Sequence, residues 1–178
     1  MASPTDPLAV LGAQWAERER WETAWRGFLR PRAEIVAVAP VRFLDWTIDG
    51  RPLRDRLTSS DGRACEDITL LADHSSGDQY AIESLRALLS EDTPGMDSSL
   101  RFSDGRTGLL FCPTCGGLDC GAVTAEVRVT ESTVEWRDVA YQDGSTGDVL
   151  PDAPAFTLRF DRVQYETTVR ALLTKWRA

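Results

Sequence analysis

Three of the chain's four cysteines fall within nine residues, in the run Cys112-Pro113-Thr114-Cys115-Gly116-Gly117-Leu118-Asp119-Cys120-Gly121. No other stretch gathers so many groups able to hold a metal or exchange electrons. Cys112 and Cys115 stand three positions apart around a proline, a spacing that can aim two sulfurs at one point. Gly116 then allows the positive φ that turns backbone N–H groups toward the thiolates. This is the pattern of one half of a zinc ribbon. The second half is incomplete, because Gly117 stands where another cysteine is required and only Cys120 remains. The expected zinc ligands are Cys112, Cys115 and Cys120. The fourth would be Cys65 or His74, the sole histidine; Asp119 or a water are further candidates, and a water would leave an open position of the catalytic kind.

Two other readings compete for the same residues. Cys-x-x-Cys is also the thiol–disulfide motif, but a lowered thiol pKa usually needs a helix N-terminus, and Cys115 leads into Gly-Gly-Leu-Asp and then a strand pattern. Alternatively the cysteines are reduced, half-buried small residues that order a tight corner. A zinc knuckle is excluded, since it needs histidine at 120 and cysteine at 125, where the chain has Cys120 and Ala125.

Elsewhere the chemistry is sparse. His74 follows Asp73, but no Gly-x-Ser-x-Gly elbow presents a serine to it. Glu135, Asp138, Asp143, Asp148 and Asp152 cluster in sequence without a calcium-loop spacing, which reads as a wet acidic surface. No Gly-x-x-x-x-Gly-Lys-Ser/Thr loop and no Gly-x-Gly-x-x-Gly follows a strand, so no nucleotide cofactor is expected. Twenty Lys+Arg against 28 Asp+Glu give a net charge of −8. Such a surface disfavours nucleic acid and would attract a basic protein. No apolar run approaches the ~18 residues of a membrane span, and residues 1–6 do not open a signal peptide, so no membrane contact and a cytoplasmic location are expected.

The elements that must position these residues are read from periodicity. The expectation is one domain over 1–178, comprising an N-terminal helical segment (1–31) and an α+β core (33–178). Asp6-Pro7 looks like a helix start, and Leu8, Leu11, Trp15, Trp25, Phe28 and Leu29 recur at helical spacing up to Pro31, with Trp21 nearby. Trp15, Trp21 and Trp25 would then either pack on the domain's own sheet or form a partner-binding face. Ile35–Val38 is a short strand or linker, and Val41–Ile48 alternates as a strand ending in an Asp49-Gly50 turn. Pro52 confines 51–57 to an edge strand or short helix. A strand at 67–72, a helix at 78–90 and a strand at 107–111 covered on both faces come next.

Residues 122–130 and 133–141 alternate cleanly around Glu131-Ser132, the clearest hairpin in the chain. A strand at 156–160 leads into a C-terminal helix capped by Asp161, with Gln164 in the capping-box position. The predicted fold class is α+β: a mainly antiparallel sheet with helices packed on it, including the long N-terminal helix and the C-terminal helix.

The run from Leu109 to Thr124, with Val134-Glu135-Trp136-Arg137-Asp138 and Phe160-Asp161-Arg162-Val163-Gln164-Tyr165-Glu166, resembles a group of small uncharacterised bacterial proteins with a CPxCGxxxCGA loop followed by a VxWxD strand. The segments Phe43-Leu44-Asp45-Trp46 and Gly50-Arg51-Pro52-Leu53 match more loosely. The resemblance implies one compact domain built around the cysteine loop, and carries over no catalytic residue. The functional expectation is a non-enzymatic protein-binding domain, of the acidic immunity or inhibitor type, with a structural cysteine loop. The alternative is an oxidoreductase or other enzyme using that loop as a three-ligand zinc centre or a dithiol; its small-molecule substrate would be unknown.

Overall fold

A computed structural model describes residues 7–27, 30, 32–57, 65–72, 78–91, 100–113, 116–150 and 155–177. Seven strands and two helices follow in the order β1 (Leu11–Arg26), β2 (Arg32–Ile48), β3 (Arg51–Pro52), α1 (Asp78–Leu88), β4 (Thr107–Phe111), β5 (Ala122–Val129), β6 (Thr133–Gln142), β7 (Phe156–Asp161) and α2 (Arg162–Arg177). All strand pairs within the sheets are antiparallel, in the orders β1-β2-β3 and β4-β5-β6-β7. The α+β class with an antiparallel sheet holds.

The long N-terminal helix does not. Residues 11–26 are a strand, paired from Leu11↔Ile48 out to Arg26↔Arg32. Within this strand the positions that suggest a 3.6-residue period also fit period two, because Leu11, Trp15, Trp21 and Trp25 are all odd-numbered. Tryptophan and threonine favour a pleated surface, and β2, rich in Val, Ile and Phe, offers a full-length partner for it. A non-local ladder outweighs the local helical pattern here. β2 likewise begins at Arg32, absorbing the Ile35–Val38 segment into one long strand. The ladder slips between Arg18/Arg20, where Ala39 and Pro40 oppose Glu19 alone. A proline with no N–H to donate is at home in such a bulge.

The remaining strand expectations fare better. Asp49 and Gly50 both take positive φ (54° and 77°), as a type I′ hairpin turn requires. β3 is two residues long and passes directly into a 3-10 turn, Leu53–Arg56, so Pro52 does sit at an edge. Residues 67–72 form single bridges and not a continuous strand: Ile68 pairs with Phe111, and Ala72 with Phe43. Those bridges tie β4 to β2. At the other side Ala9 donates to the Arg159 carbonyl (2.7 Å) beside β7. Backbone pairing therefore runs round a closed circuit through both sheets.

The circuit encloses Leu11, Leu44, Trp46, Ile48, Leu110, Val123, Val134, Trp136 and Phe160, packed with Leu85 and Leu88 of α1 and Tyr165 and Val169 of α2. Trp136 meets Trp46, Phe160 and Tyr165 edge-on, with centroids 5.1–6.3 Å apart. Its indole N–H donates to the Tyr165 hydroxyl (3.0 Å), which donates to the Leu88 carbonyl (3.1 Å). One buried hydroxyl thus joins β6, α2 and the end of α1.

α2 begins as expected, with Asp161 Oδ1 accepting from the Gln164 N–H (2.9 Å). The reciprocal half of the capping box is absent. The Gln164 side chain instead brackets Leu11, accepting from its N–H and donating to its carbonyl, which ties the root of β1 to α2.

Candidate functional site

The cysteine loop joins β4 to β5, as its flanking strand patterns require. Cys112 is half-buried, Cys120 is exposed, and Thr114 and Cys115 lie outside the described residues. The Gly116 N–H donates to the Cys112 carbonyl (2.9 Å), and Gly116 has φ of 62°. The far side is held by Tyr141, whose hydroxyl donates to the Cys120 carbonyl (2.6 Å). A second loop closes over it. Gly144 lies so close to the Leu118 and Asp119 carbonyls that a Cβ there would collide with both. Gly144 sits in a turn ordered by Asp143, whose Oδ1 accepts from Ser145 and Thr146 and is thereby held below the usual carboxylate range.

Of the proposed fourth ligands, His74 lies outside the described residues. Cys65 is half-buried, and burial first, then the charge of Asp67, pushes its thiol up to about 11. Without a metal it is therefore a protonated thiol at neutral pH, the form that does not attack. Among the described residues no group of three or more His, Cys, Asp or Glu side chains converges on a point that could hold a metal.

The acidic cluster around β6 also disperses. Glu135 pairs with Arg137 (2.7 Å) and Arg159 (3.2 Å), Asp138 occupies a strand bulge at φ 50°, and Asp152 is outside the described residues. Two buried polar features gave no sequence signal. Arg106, nearly buried, donates to the Thr124 hydroxyl (2.9 Å), the Thr124 carbonyl (3.1 Å) and the Asp138 carbonyl. It satisfies carbonyls at the places where the β5–β6 ladder slips. Asp45, fully buried on β2, pairs with Arg54 (2.7 Å), yet its Oδ1 and Arg54 Nη2 have no hydrogen-bond partner among the described residues. Burial raises the Asp45 pKa despite that arginine.

The three tryptophans part company. Trp15 stacks near Trp176 of α2 (6.4 Å), with Arg42 and Lys175 over its ring. It belongs to the domain's own packing although it is 40% exposed. Trp25 is 71% exposed, far along the hairpin, and the side chain of Trp21 lies outside the described part of the structure. Every described residue from Thr23 to Val38 is exposed or half-buried. The outer half of the β1–β2 hairpin is thus an arm running on from the core as a two-stranded ribbon.

Its register separates charge from apolar surface. Positions 21, 23 and 25 oppose Ala37, Ile35 and Ala33 on the side that, nearer the root, faces the core through Leu11, Trp46 and Ile48. That side carries no charged residue between positions 20 and 38. The charges of Arg26, Arg32 and Glu34 fall on the other side. Between the core and this stretch the same side carries Glu17 and Arg42, which oppose each other in the ladder, and Ile35 beyond them is 76% exposed. The signal that could have revealed this was the period-two reading of residues 11–26.

No helix among the described residues is long and apolar enough to cross a membrane. Comparison of the chain with protein-family models, curated proteins and solved structures gives no significant match.

Proposed function

We propose that this protein is a non-enzymatic protein-binding domain of the acidic immunity or inhibitor type, which makes its apolar contact through the β1–β2 arm. The observation that carries this reading is the outer stretch of one side of the arm, where Trp25 and Ile35 stand largely in solvent. An isolated two-stranded ribbon is marginal in water, and contiguous exposed apolar surface usually marks a contact with another protein. Residues 17–34 hold five arginines and four glutamates, a net of +1, which leaves −9 on the rest of a chain of net −8. The arm would supply the apolar contact, and the acidic body would favour a basic partner.

The cysteine loop has a structural part in this reading. It is a corner between two core strands, clasped by Tyr141 and Gly144. Zinc bound there by Cys112, Cys115 and Cys120 would add stability, not activity. Elemental analysis of untagged protein, with thiol counting, gives the metal content directly.

The test compares capture by the wild-type chain and by the Trp25→Glu, Ile35→Glu double variant in cells that naturally make the protein. Both positions are exposed, so the variant should keep the wild-type circular dichroism and melting temperature. The expected result is a basic protein retained by the wild type in stoichiometric amount, lost from the double variant and released by salt. An identical set of retained proteins from both chains would sink the arm as the contact surface.

A further inference from the structure

We infer that the tip of the arm, on the side away from Trp25 and Ile35, docks a carboxylate-bearing segment of the partner protein. This rests on the reading of the arm as a protein contact and states what the partner presents there. The partner is basic where it meets the body and acidic around the end of the arm.

The register places the charge. Arg26 and Arg32 form the last paired rung of the β1–β2 ladder, directly opposite one another and on one side of the ribbon. Both are exposed, and Arg30, also exposed, lies in the connection between them. Like charges directly opposite in an antiparallel pair destabilise it, and this pair closes a two-stranded ribbon that is marginal by itself.

The chain supplies no counter-charge. Elsewhere Arg18, Arg54, Arg137, Arg159 and Arg162 each hold a carboxylate within 3.2 Å. Among the described residues no ion pair involves Arg26, Arg30 or Arg32, and Glu34, on the same side as Arg26 and Arg32, pairs with neither. Residues 26–33 hold three arginines and no acidic residue, a net of +3, which leaves −11 on the rest of a chain of net −8. The acidic body is too far away to answer this charge. From position 20 to 26 the ribbon runs roughly 20 Å at ~3.3 Å per residue, well beyond the ~8 Å screening length at physiological salt.

Geometry then decides the partner's chemistry. A protein seated on Trp25 and Ile35 lies only the thickness of one ribbon from these arginines, and the long guanidinium side chains reach round its edge. A surface basic throughout would be repelled at the tip. Carboxylates there accept forked, charge-assisted hydrogen bonds from Arg26 and Arg32 and relieve the repulsion within the rung. Nucleic-acid phosphates offer similar oxygens, but they would bring a long polyanion toward a body of net −11.

The experiment is fluorescence anisotropy of a dye-labelled decaglutamate peptide titrated with the purified full-length chain at about 20 and about 300 mM NaCl. The variant Arg26→Glu and a labelled oligothymidylate of equal length run alongside. Arg26→Glu turns a like-charged rung into an opposite-charged one, so its melting temperature should equal or exceed that of the wild type. The expected result is a wild-type Kd below about 1 mM at low salt, weakened at high salt and at least tenfold weaker in the variant, with oligothymidylate bound less tightly than the peptide. No binding at about 1 mM chain overturns the proposal, as does equal binding by the variant or tighter binding of oligothymidylate. A variant with a lowered melting temperature is replaced by Arg32→Gln, read by the same criteria.

The reading of the arm as a protein contact fails separately. Arg26→Glu should release the partner retained by the wild type at lower salt. Tighter retention means that the partner is basic at the tip as well, which overturns the acidic docking point and leaves the contact through Trp25 and Ile35 standing. Unchanged retention by the Trp25→Glu, Ile35→Glu variant sinks that contact, and this inference with it.

Discussion

Replacing Tyr165 with phenylalanine removes one oxygen atom from the centre of the molecule. That hydroxyl accepts from the Trp136 indole N–H at 3.0 Å and donates to the Leu88 carbonyl at 3.1 Å. Tyr165 and Trp136 are fully buried and Leu88 nearly so. The ring of Tyr165→Phe would keep its contacts with Phe160 and Trp136, so no large cavity opens. What remains is a buried N–H and a buried carbonyl, each without its partner.

An unsatisfied buried group costs about 1–3 kcal/mol, offset partly because the lost hydroxyl no longer needs desolvating. The net expectation is a loss of roughly 2–4 kcal/mol, well above the ~1 kcal/mol of an ordinary hydrogen bond. For a chain of this length that corresponds to a melting temperature lower by roughly 5–15 °C. The assay is urea unfolding followed by tryptophan fluorescence, with the midpoint falling and the slope m unchanged. A double-mutant cycle with Trp136→Phe should give a coupling of about 1 kcal/mol or more, since both changes remove the same bond. A loss below about 0.5 kcal/mol for Tyr165→Phe, with no coupling, would refute the view that this hydroxyl bridges β6, α2 and α1.

Three further perturbations test other parts of the structure. Burial lifts the Asp67 carboxyl to about 6, from 3.8 in the unfolded chain, although Arg18 opposes the shift. The raised value means that its charge destabilises the fold above pH 6, a penalty that fades as pH falls toward 3.8. Asp67→Asn should therefore stabilise the protein at pH 7–8 by on the order of 1–3 kcal/mol, with the gain vanishing near pH 4; equal effects at both pH values would count against it. Arg106→Lys cannot reach the Thr124 hydroxyl and the two carbonyls at once, and should cost roughly 2–4 kcal/mol in urea unfolding. Gly144→Ala drives a methyl group into the Leu118 and Asp119 carbonyls and should lower stability by about 2 kcal/mol while raising amide exchange in 116–121; unchanged exchange there would show that the two loops are not packed together.

Local chemistry in the sequence was enough for the turns and for the strands whose two faces differ. The Asp49-Gly50 turn, the β5–β6 hairpin, the doubly buried β4, and the start of α2 at Asp161 all obey short-range rules, because side-chain alternation and capping act over a few residues. Acidic character and the spacing of the cysteine loop were likewise legible, and the loop does join two strands with Gly116 at positive φ.

Tertiary pairing decided the rest. Residues 11–26 fit a helix and a strand almost equally well by pattern, and only the presence of β2 as a partner over fifteen paired positions selects the strand. With it came the separation of Trp15, packed at the root, from Trp25, exposed along the arm. Arg106, Asp45–Arg54 and Tyr165–Trp136 were invisible in sequence for the same reason: each joins residues of different elements, and a buried polar group looks like any surface one until its partners are known. The sequence by itself determined which segments could alternate, turn and cap. Which side of each strand is covered, and that one side of the arm is not, depends on contacts between segments far apart in the chain, where no local rule reaches.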